Sequence, residues 1–330
     1  MTKVSNASLA KAIRVKNDDF YTQLPDIETE LWYHREDFKG KAVFCNCDDP
    51  YMSKFFHYFS WNFEELGLKK LITTCYKNEN VNFFSENKSE KAICLEYIGK
   101  RNGGQVPTPE EIGIQRLKGN GDFRSKECIE LLKEADIVVT NPPFSLFREY
   151  VAQLMEYKKR FLILGSMNAI TYKECFKLIQ DNQMWLGVSL RGKGIEFEVL
   201  SDYPIKKGSG RIGENGKKFV KMGNVRWFTN LDYEQRHVSL DLDEKYYGHE
   251  SSYPRYDNFD VINVDKIKDI PKDYEGVMGV PITFLDKYNP EQFEIIGDSR
   301  YHDGKDCADD INFLNGKLLY RRILIKNRRV

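Results

Sequence analysis

Short apolar runs alternate with stretches of helical spacing along the first two thirds of the chain. The runs lie at residues 41–45, 71–76, 137–139, 161–165 and 224–231. Runs of this length, rich in Val, Ile, Leu and Phe, predict buried strands, and the amphipathic stretches that follow several of them predict helices. The alternation therefore predicts an α/β fold built on a Rossmann-like sheet.

The alternation fades after about residue 235, where tyrosine and aspartate become more frequent. We therefore predict two parts, a catalytic domain over residues 1–235 and a smaller mixed region over 236–330. The second part ends in a basic segment, Tyr320–Arg329.

The segment Asp136–Phe144 is the centre of the predicted sheet. Pro142 and Pro143 have no amide hydrogen to donate, so the strand must end there, and Ser145 is placed to cap the helix that follows. Asn141 is thus carried on a stiff turn at the carboxyl end of a strand, where open α/β sheets bind ligands.

The chemistry of this turn suits an amino group. The Asn141 side-chain carbonyl and the Pro142 backbone carbonyl are two acceptors, and a planar amine can donate both its hydrogens to them while its lone pair stays available. Phe144 offers a flat face beside them. The simpler alternative is a proline-stopped strand with an exposed asparagine.

Composition sets the limits on partners and compartment. The 330 residues carry 50 basic and 50 acidic side chains, so a nucleic-acid surface would need local clustering of charge. No apolar run approaches the ~20 residues that span a bilayer, and the first residues lack a signal core. Seven cysteines without paired spacing predict reduced core thiols of a cytoplasmic protein and no metal site.

Other segments predict a binding site for a nucleoside ligand that carries no phosphate. Cys45–Pro50 is a strand end followed by a helix, but Asn46, Asp48 and Asp49 stand where a dinucleotide fingerprint has glycines. In sheets of this kind an acidic residue at the end of the second strand usually binds the ribose hydroxyls of a nucleoside ligand. Here Cys75-Tyr76 stand at that place, so no ribose ligand is assigned, and Glu96 is a substitute candidate for that role. Lys206–Lys221 is a glycine- and lysine-rich stretch that is a candidate DNA-backbone contact.

Taken together, the motifs resemble those of the EcoRI-type adenine-specific DNA methyltransferases. The resemblance runs over most of the chain and follows the segment order of the γ group, with cofactor segments first, then Asn-Pro-Pro-Phe, then a recognition region. The segments that carry it are Phe20–Gln23, Cys45–Pro50, Gly121–Ser125, Asp136–Tyr150, Ile170–Glu174, Trp185–Val188, Ser251–Pro254, Tyr256–Asn258, Gly276–Leu285 and Asn289–Phe293. Segments 80–120, 200–222 and 296–318 differ from the family pattern, which leaves the target sequence open.

The resemblance implies S-adenosyl-L-methionine as cofactor, N6-methylation of a flipped-out adenine in double-stranded DNA, and GAATTC as target. It also implies a restriction-modification role, with a cognate restriction endonuclease that acts on the same site without a stable complex. The predicted catalytic residues are Asn141, Pro142, Pro143 and Phe144. The predicted cofactor residues are Phe20, Tyr21, Thr22, Gln23, Asn46, Asp48, Asp122, Phe123 and Asn141. The predicted substrate residues are Phe144, Phe197, Arg255 and Asn258.

Several of these assignments have a simpler reading. Phe197 could be a core residue, Asp122 could only cap the next helix, and Arg255 and Asn258 could be solvated surface residues. At the level of function, the same turn occurs in enzymes that methylate RNA bases or protein amide nitrogens. A non-catalytic DNA-binding relative is the remaining alternative.

Overall fold

The computed structural model describes residues 20–47, 49–51, 53–76, 92–99, 108–199, 203–205, 208–302, 305–306 and 312–328. The chain forms two compact units, Met1–Tyr172 with Gly187–Leu231, and Lys173–Leu186 with Asp232–Val330. The second unit therefore takes in a short segment from the middle of the chain as well as the C-terminal part. The role of residues 236–330 in target recognition stays a prediction.

A mixed sheet forms the core of the first unit, and its strands lie in the order β5-β4-β3-β2-β6-β7-β12. The bounds are β2 Ala42–Cys45, β3 Lys70–Thr74, β4 Ile93–Tyr97, β5 Ile114–Arg116, β6 Ile137–Thr140, β7 Arg160–Ser166 and β12 Val225–Thr229. Strands β3, β2, β6 and β7 are parallel, and β4, β5 and β12 pair antiparallel at the flanks. This arrangement confirms the predicted α/β class.

The two central strands carry the pattern that a parallel sheet requires. Every residue of β2 and β6 is buried, as expected for strands covered on both faces. Because parallel strands point the same way, the residues that follow β2, β3 and β6 meet at one edge of the sheet.

Six helices are present in the described residues. They are α1 Leu24–Leu31, α2 Lys54–Trp61, α3 Pro109–Ile112, α4 Lys126–Glu134, α5 Phe147–Glu156 and α6 Lys173–Gln180. Ser53 caps α2 by accepting from the amides of Phe55 and Phe56, and Ser125 caps α4 by accepting from Cys128.

The predicted cap at Ser145 is wrong. Phe144–Leu146 form one turn of 3-10 helix, and α5 begins only at Phe147. The Pro142-Pro143 pair holds Asn141 and Pro142 in extended geometry, and the chain then enters the helix through a 3-10 turn, as is frequent at the N-termini of helices.

A second, antiparallel sheet of the first unit has the order β1-β9-β11-β10. Its strands are β1 Phe20–Thr22, β9 Ile195–Val199, β10 Gly210–Ile212 and β11 Lys218–Met222. In β1 and β9, Thr22 pairs with Phe197 and Phe20 pairs with Val199.

A buried acidic residue joins α1 to the loop before β9. Glu30 has no exposed surface, and its carboxylate accepts from the amides of Val188 at 2.8 Å and Ser189 at 2.6 Å. Burial lowers the pKa of His34, but the carboxylates of Asp37 and Glu30, both 3.7 Å away, outweigh it and raise the pKa above its ordinary value. His34 is therefore favoured in its charged form in the folded protein.

The second unit is built around a mixed sheet with the order β13-β14-β20-β15-β16-β17, beside a separate hairpin, β18-β19. The bounds are β13 Ile262–Asn263, β14 Met278–Pro281, β15 Phe293–Asp298, β16 Tyr301–His302, β17 Lys305–Asp306, β18 Phe313–Leu314, β19 Lys317–Leu318 and β20 Arg322–Asn327. The short strand β8, Trp185–Leu186, also belongs to the second unit but not to this sheet. In the part of the chain that the structure describes, no helix has the length and apolarity to cross a membrane.

Candidate active site

Asn141 lies immediately after β6, at the carboxyl edge of the central sheet. Its Nδ2 donates to the backbone carbonyl of Phe20 at 2.6 Å. Its Oδ1 is buried and accepts no hydrogen bond from any described residue. A buried acceptor without a donor costs about 1–3 kcal/mol, and this oxygen is therefore available to accept from a ligand N–H group.

The turn that carries Asn141 is held firmly in place. Pro142 is buried, and Pro143 leads into the 3-10 turn. The following helix packs close to the sheet at Gly165 of β7, where an added Cβ would lie 2.3 Å from the ring of Phe147. The position of the turn is thus fixed both by its own geometry and by helix–sheet contact.

Asn46 ties three strand ends together. Its Oδ1 accepts from the amide of Cys47 and from the Thr74 hydroxyl, each at 2.9 Å, and its carbonyl accepts from the Thr140 hydroxyl. Asn46 was predicted to contact the cofactor. That stays a prediction; in the structure, its side-chain oxygen accepts the two bonds just described, and these bonds stabilise the loop after β2. Asp48, predicted beside it, lies outside the described residues.

Cys47 has the backbone conformation that a glycine-rich fingerprint would supply. Its φ is 68°, in the left-handed region that non-glycine residues seldom adopt. The loop therefore makes the tight turn of a ligand cradle without glycine, and the Asn46 hydrogen bond to the Cys47 amide holds it there.

Aromatic side chains cluster beside Asn141. The ring of Phe20 stacks on Phe144 with centroids 5.8 Å apart and planes 26° apart, and it also contacts Phe197 at 5.5 Å and Tyr203 at 5.8 Å. Phe144 is half-buried, whereas Phe197 has no exposed surface. Phe197 thus agrees with the core-packing alternative and presents no open face to a base in this structure.

The Gly121-Asp122-Phe123 segment lies against the end of β3. Gly121 has a φ of 75°, and a Cβ there would be 2.2 Å from the Cys75 carbonyl oxygen. Arg124 binds both carboxylate oxygens of Asp122, at 2.9 and 2.7 Å, and this pairing holds the pKa of Asp122 below its usual range. Asp122 is therefore an ionised acceptor at the edge of the sheet. Since Ser125 caps α4, Asp122 does not.

Phe123 is buried, and its ring packs edge-on against Tyr150 at 4.9 Å. Its backbone carbonyl accepts from Gln153 at 3.1 Å. These contacts fix the segment to α5, the helix that follows the Asn141 turn, so the two predicted ligand segments share one support.

The remaining residues of the first strand supply a second unsatisfied acceptor. Thr22 is buried, and its Oγ1 has no hydrogen-bond partner within the described ranges. Gln23 is turned back on its own strand, with Nε2 donating to the Tyr21 carbonyl at 3.0 Å. Sequence reasoning placed all of Phe20–Gln23 at the cofactor, but it gave no sign that the Phe20 carbonyl would orient Asn141.

Two other expectations concern charged residues. Glu96 is on β4 and forms an ion pair with Lys70, so nothing in the structure marks it as a ribose ligand. No group of acidic, histidine and cysteine side chains suited to a metal was found when the described residues were searched.

The basic stretch before and within β11 is largely neutralised by its own neighbours. Arg211 pairs with Glu196, Lys217 pairs with Glu198, and Lys218 donates to a backbone carbonyl. Lys221 is exposed and forms no ion pair with any residue that the structure describes.

In the second unit, the two predicted substrate residues have different surroundings. Arg255 forms an ion pair with Asp260 and a hydrogen bond of 3.2 Å to the Tyr246 hydroxyl. Asn258 is exposed to solvent. The Arg255 guanidinium is therefore engaged within the unit, and only Asn258 presents an open polar side chain.

These features define a class. An α/β sheet that carries an Asn-Pro-Pro-Phe turn at the edge of its central parallel strands, with an unfilled amide acceptor, is the framework of an amino-group methyltransferase. The chain belongs to the EcoRI family of adenine-specific methyltransferases, whose family model matches residues 8–328. It is an adenine-specific DNA methyltransferase.

Named relatives support the same family. The chain is 53% identical over 327 residues to the type II methyltransferase M.EcoRI of Escherichia coli, covering 99% of this chain and 98% of the relative. It is 38% identical to the type II methyltransferase M.MgeORF184P of Mycoplasma genitalium, covering 97% of this chain and 98% of the relative. The identity is also 38% to M.MpnI of Mycoplasma pneumoniae, with 96% and 97% covered. No solved structure matched the chain.

Proposed function

We propose that this enzyme transfers a methyl group from S-adenosyl-L-methionine to the N6 amine of an adenine that has left the stack of duplex DNA. The observation that carries the proposal is the buried Asn141 Oδ1, which has no donor among the described residues. It lies at the sheet edge where the loops after β2 and β6 are tied together through Asn46 and Thr140.

Asn141 Oδ1 would accept a hydrogen bond from one N–H of the amine, while the Pro142 carbonyl accepts a hydrogen bond from the other N–H. The adenine N6 lone pair is delocalised into the ring and is a poor nucleophile. Two acceptors that hold both hydrogens favour a pyramidal nitrogen, whose lone pair then points out of the ring plane. The half-buried face of Phe144 would keep the base in position by stacking.

The residues around the turn fit the proposed cofactor. A bound S-adenosylmethionine would supply an electrophilic methyl group on a positively charged sulfur. Thr22 brings an unfilled buried hydroxyl, and Asp122 brings an ionised carboxylate that can accept from an amino group. The loop at Cys47 makes a tight turn without the glycines that a pyrophosphate would need. Positioning of the two reactants would supply most of the rate.

The target adenine must rotate out of the duplex, because its amine lies within the base stack and cannot reach the methyl donor. Extrusion costs a few kcal/mol, and stacking on Phe144 offsets part of that cost. We propose GAATTC as the target, since the chain is similar over its whole length to M.EcoRI. The corresponding biological role is to protect cytoplasmic DNA against a cognate restriction endonuclease that recognises the same site.

The test is an Asn141→Ala variant, with Asn224→Ala on an exposed turn as the matched control. We expect turnover on duplex DNA to fall by at least about a hundredfold, the size seen when one preorganised polar group of an active site is removed. Cofactor affinity, measured by calorimetry, should stay within a few-fold. Unchanged turnover in Asn141→Ala would remove this residue from the chemistry.

A tritium-transfer assay that offers duplex DNA, RNA and protein in parallel tests the substrate class. Label in DNA alone, mapped as N6-methyladenine at GAATTC, is the expected result. Label at another sequence would keep the chemistry and refute the proposed target.

A further inference from the structure

A short, well-defined hairpin stands out on the second unit. Phe313 pairs with Leu318 and Leu314 pairs with Lys317 across a two-residue connection. The connecting residues, Asn315 and Gly316, have φ values of 51° and 71°. Two successive positive φ values and an Asn-Gly sequence are the features of a type I′ turn, which fits the twist of a β-hairpin.

The hairpin is clamped at its tip by an acidic residue from elsewhere in the unit. Asp257 Oδ1 accepts from the Asn315 amide at 2.9 Å, and Oδ2 accepts from the Gly316 amide at 2.7 Å. The Asp257 amide in turn donates to the Phe313 carbonyl at 2.9 Å. Carboxylate bonds to backbone amides are among the stronger hydrogen bonds, so the tip has a fixed place.

The base of the hairpin is fixed by a second polar residue. Asn312 is buried, and its Nδ2 donates to the carbonyls of Leu319 and Tyr320 at 2.7 and 2.9 Å. The Leu319 amide donates back to the Asn312 carbonyl at 3.1 Å. The backbone leading to Tyr320 is therefore held on both strands.

Large side chains on this ordered hairpin are exposed to solvent. Tyr320 is 94% exposed and Leu318 is 52% exposed. Lys317 is exposed, and its ammonium forms no ion pair within the described part of the chain. Tyrosine is enriched at interfaces because its ring is apolar and its hydroxyl is polar. Asn258, the residue that follows the clamping Asp257, is also exposed.

We propose that the hairpin 312–320 is a DNA-contacting element, in which Tyr320 packs against bases and Lys317 binds a backbone phosphate. The proposal rests on duplex DNA as the substrate. A two-stranded ribbon fits the major groove of B-form DNA. Asn258 and Asn315 carry side-chain amides, which can pair with the edge of an adenine. The Tyr320 ring can make an apolar contact with base edges in the groove, such as a thymine methyl, and the Lys317 ammonium matches the charge of a phosphate.

The experiment compares Tyr320→Ala, Tyr320→Phe and Lys317→Ala with the full-length parent. Tyr247→Ala and Lys268→Ala are matched controls, since both residues are exposed on the same unit. Binding to a duplex that contains the target is measured by fluorescence anisotropy as a function of salt. The same duplex with 2-aminopurine at successive positions reports any base that Tyr320 contacts. Tyr320 is almost fully exposed, so its replacement should leave thermal unfolding unchanged.

We expect Tyr320→Ala to weaken duplex binding about tenfold, the size of loss that truncation of one aromatic interface anchor gives. Tyr320→Phe should retain binding, because it keeps the ring. Lys317→Ala should lower the slope of log Kd against log salt by about one. Binding of Tyr320→Ala and Lys317→Ala within twofold of the parent, with an unchanged 2-aminopurine signal, would overturn the proposal.

Asp257→Asn is a second variant that tests the clamp. An amide offers one acceptor where the carboxylate offers two, so the tip should lose one of its two bonds. We expect the ratio of affinity for target over random duplex to fall, which a merely structural role would not produce. Failure of this inference is distinct from failure of the proposed function. If the parent methylates duplex DNA and the hairpin variants do so equally well, only the hairpin proposal is refuted.

Discussion

The Thr74→Val variant gives the sharpest test of how the edge of the sheet is built. Thr74 is buried, and its hydroxyl donates to Asn46 Oδ1 at 2.9 Å. Valine has nearly the same shape, so the substitution leaves no large cavity; it removes the bond to Asn46 and a weaker hydrogen bond with the Cys128 thiol. Asn46 Oδ1 keeps its second donor, the Cys47 amide. We therefore expect the free energy of unfolding to fall by about 0.5–1.5 kcal/mol, the net value of one neutral hydrogen bond.

The change in cofactor affinity caused by Thr74→Val cannot exceed the free energy of the lost hydrogen bond. The bond helps to select the conformation of the loop after β2, where Cys47 has a φ of 68°. If the loop forms the cofactor cradle, loss of up to about 1.5 kcal/mol of preference raises the cofactor Kd by no more than about tenfold. Calorimetric titration measures Kd, and urea unfolding measures stability.

Thr73→Val is the matched control. Thr73 is the preceding residue of β3, also buried, and its hydroxyl donates to the Cys45 carbonyl at 3.1 Å, within the strands rather than in the loop. Stability should fall by a similar amount in this variant while the cofactor Kd stays unchanged. Equal changes of Kd in both variants, or none in either, would refute the inference that Asn46 supports the loop.

Three further predictions follow from the same structure. Gly121→Ala should destabilise the fold by about 2 kcal/mol more than Gly40→Ala in urea unfolding, because the two glycines have similar φ values of 75° and 70° but only Gly121 would place a Cβ against a carbonyl oxygen, at 2.2 Å. Lys221→Ala should reduce the salt slope of DNA binding by about one, whereas Arg211→Ala, which breaks an internal ion pair, should leave it nearly unchanged. The raised pKa of His34 should stabilise the fold below its ordinary pKa of about 6.5, and that stability should be lost as the pH rises through the raised value; unfolding measured from pH 6 to 9 should show no such loss in His34→Gln.

The features that the sequence predicted well depend on local patterns. The β-branched run before Asn141 and the two prolines after it define a strand and its end, and the structure has β6 at Ile137–Thr140. The alternation of apolar runs and helical stretches likewise predicted the α/β class, because the apolar residues of each run indicate a buried strand without knowledge of distant contacts. The predicted Ser145 cap is wrong because a 3-10 turn at Phe144–Leu146 precedes the helix, and sequence spacing does not distinguish such a turn from the first turn of an α-helix.

The features that it missed depend on contacts between distant segments. Asn46 is predicted to contact the cofactor because it follows a strand, and that stays a prediction; no pattern in the sequence indicated that its side-chain oxygen accepts from the distant Thr74 hydroxyl. Phe197 alternates with polar residues in β9, and a period of two shows that one face is buried but not what covers it. Arg255 is predicted to contact DNA, and that stays a prediction; the structure pairs it with Asp260 across a loop, where no helical spacing signals an ion pair.

The orientation of the Asn141 amide, which we propose acts in catalysis, follows from a contact that no pattern of side chains encodes. An asparagine amide can turn either its oxygen or its nitrogen toward a ligand, and only the oxygen can accept a hydrogen from an amine. The Phe20 carbonyl binds Nδ2 at 2.6 Å, so Oδ1 is the atom left without a partner. Because Phe20 belongs to β1, which is held in register by β9, the second sheet determines which end of Asn141 is available for chemistry. A shift of β1 by one residue would turn the Phe20 carbonyl away and remove that choice, although every residue of the turn itself would remain in place.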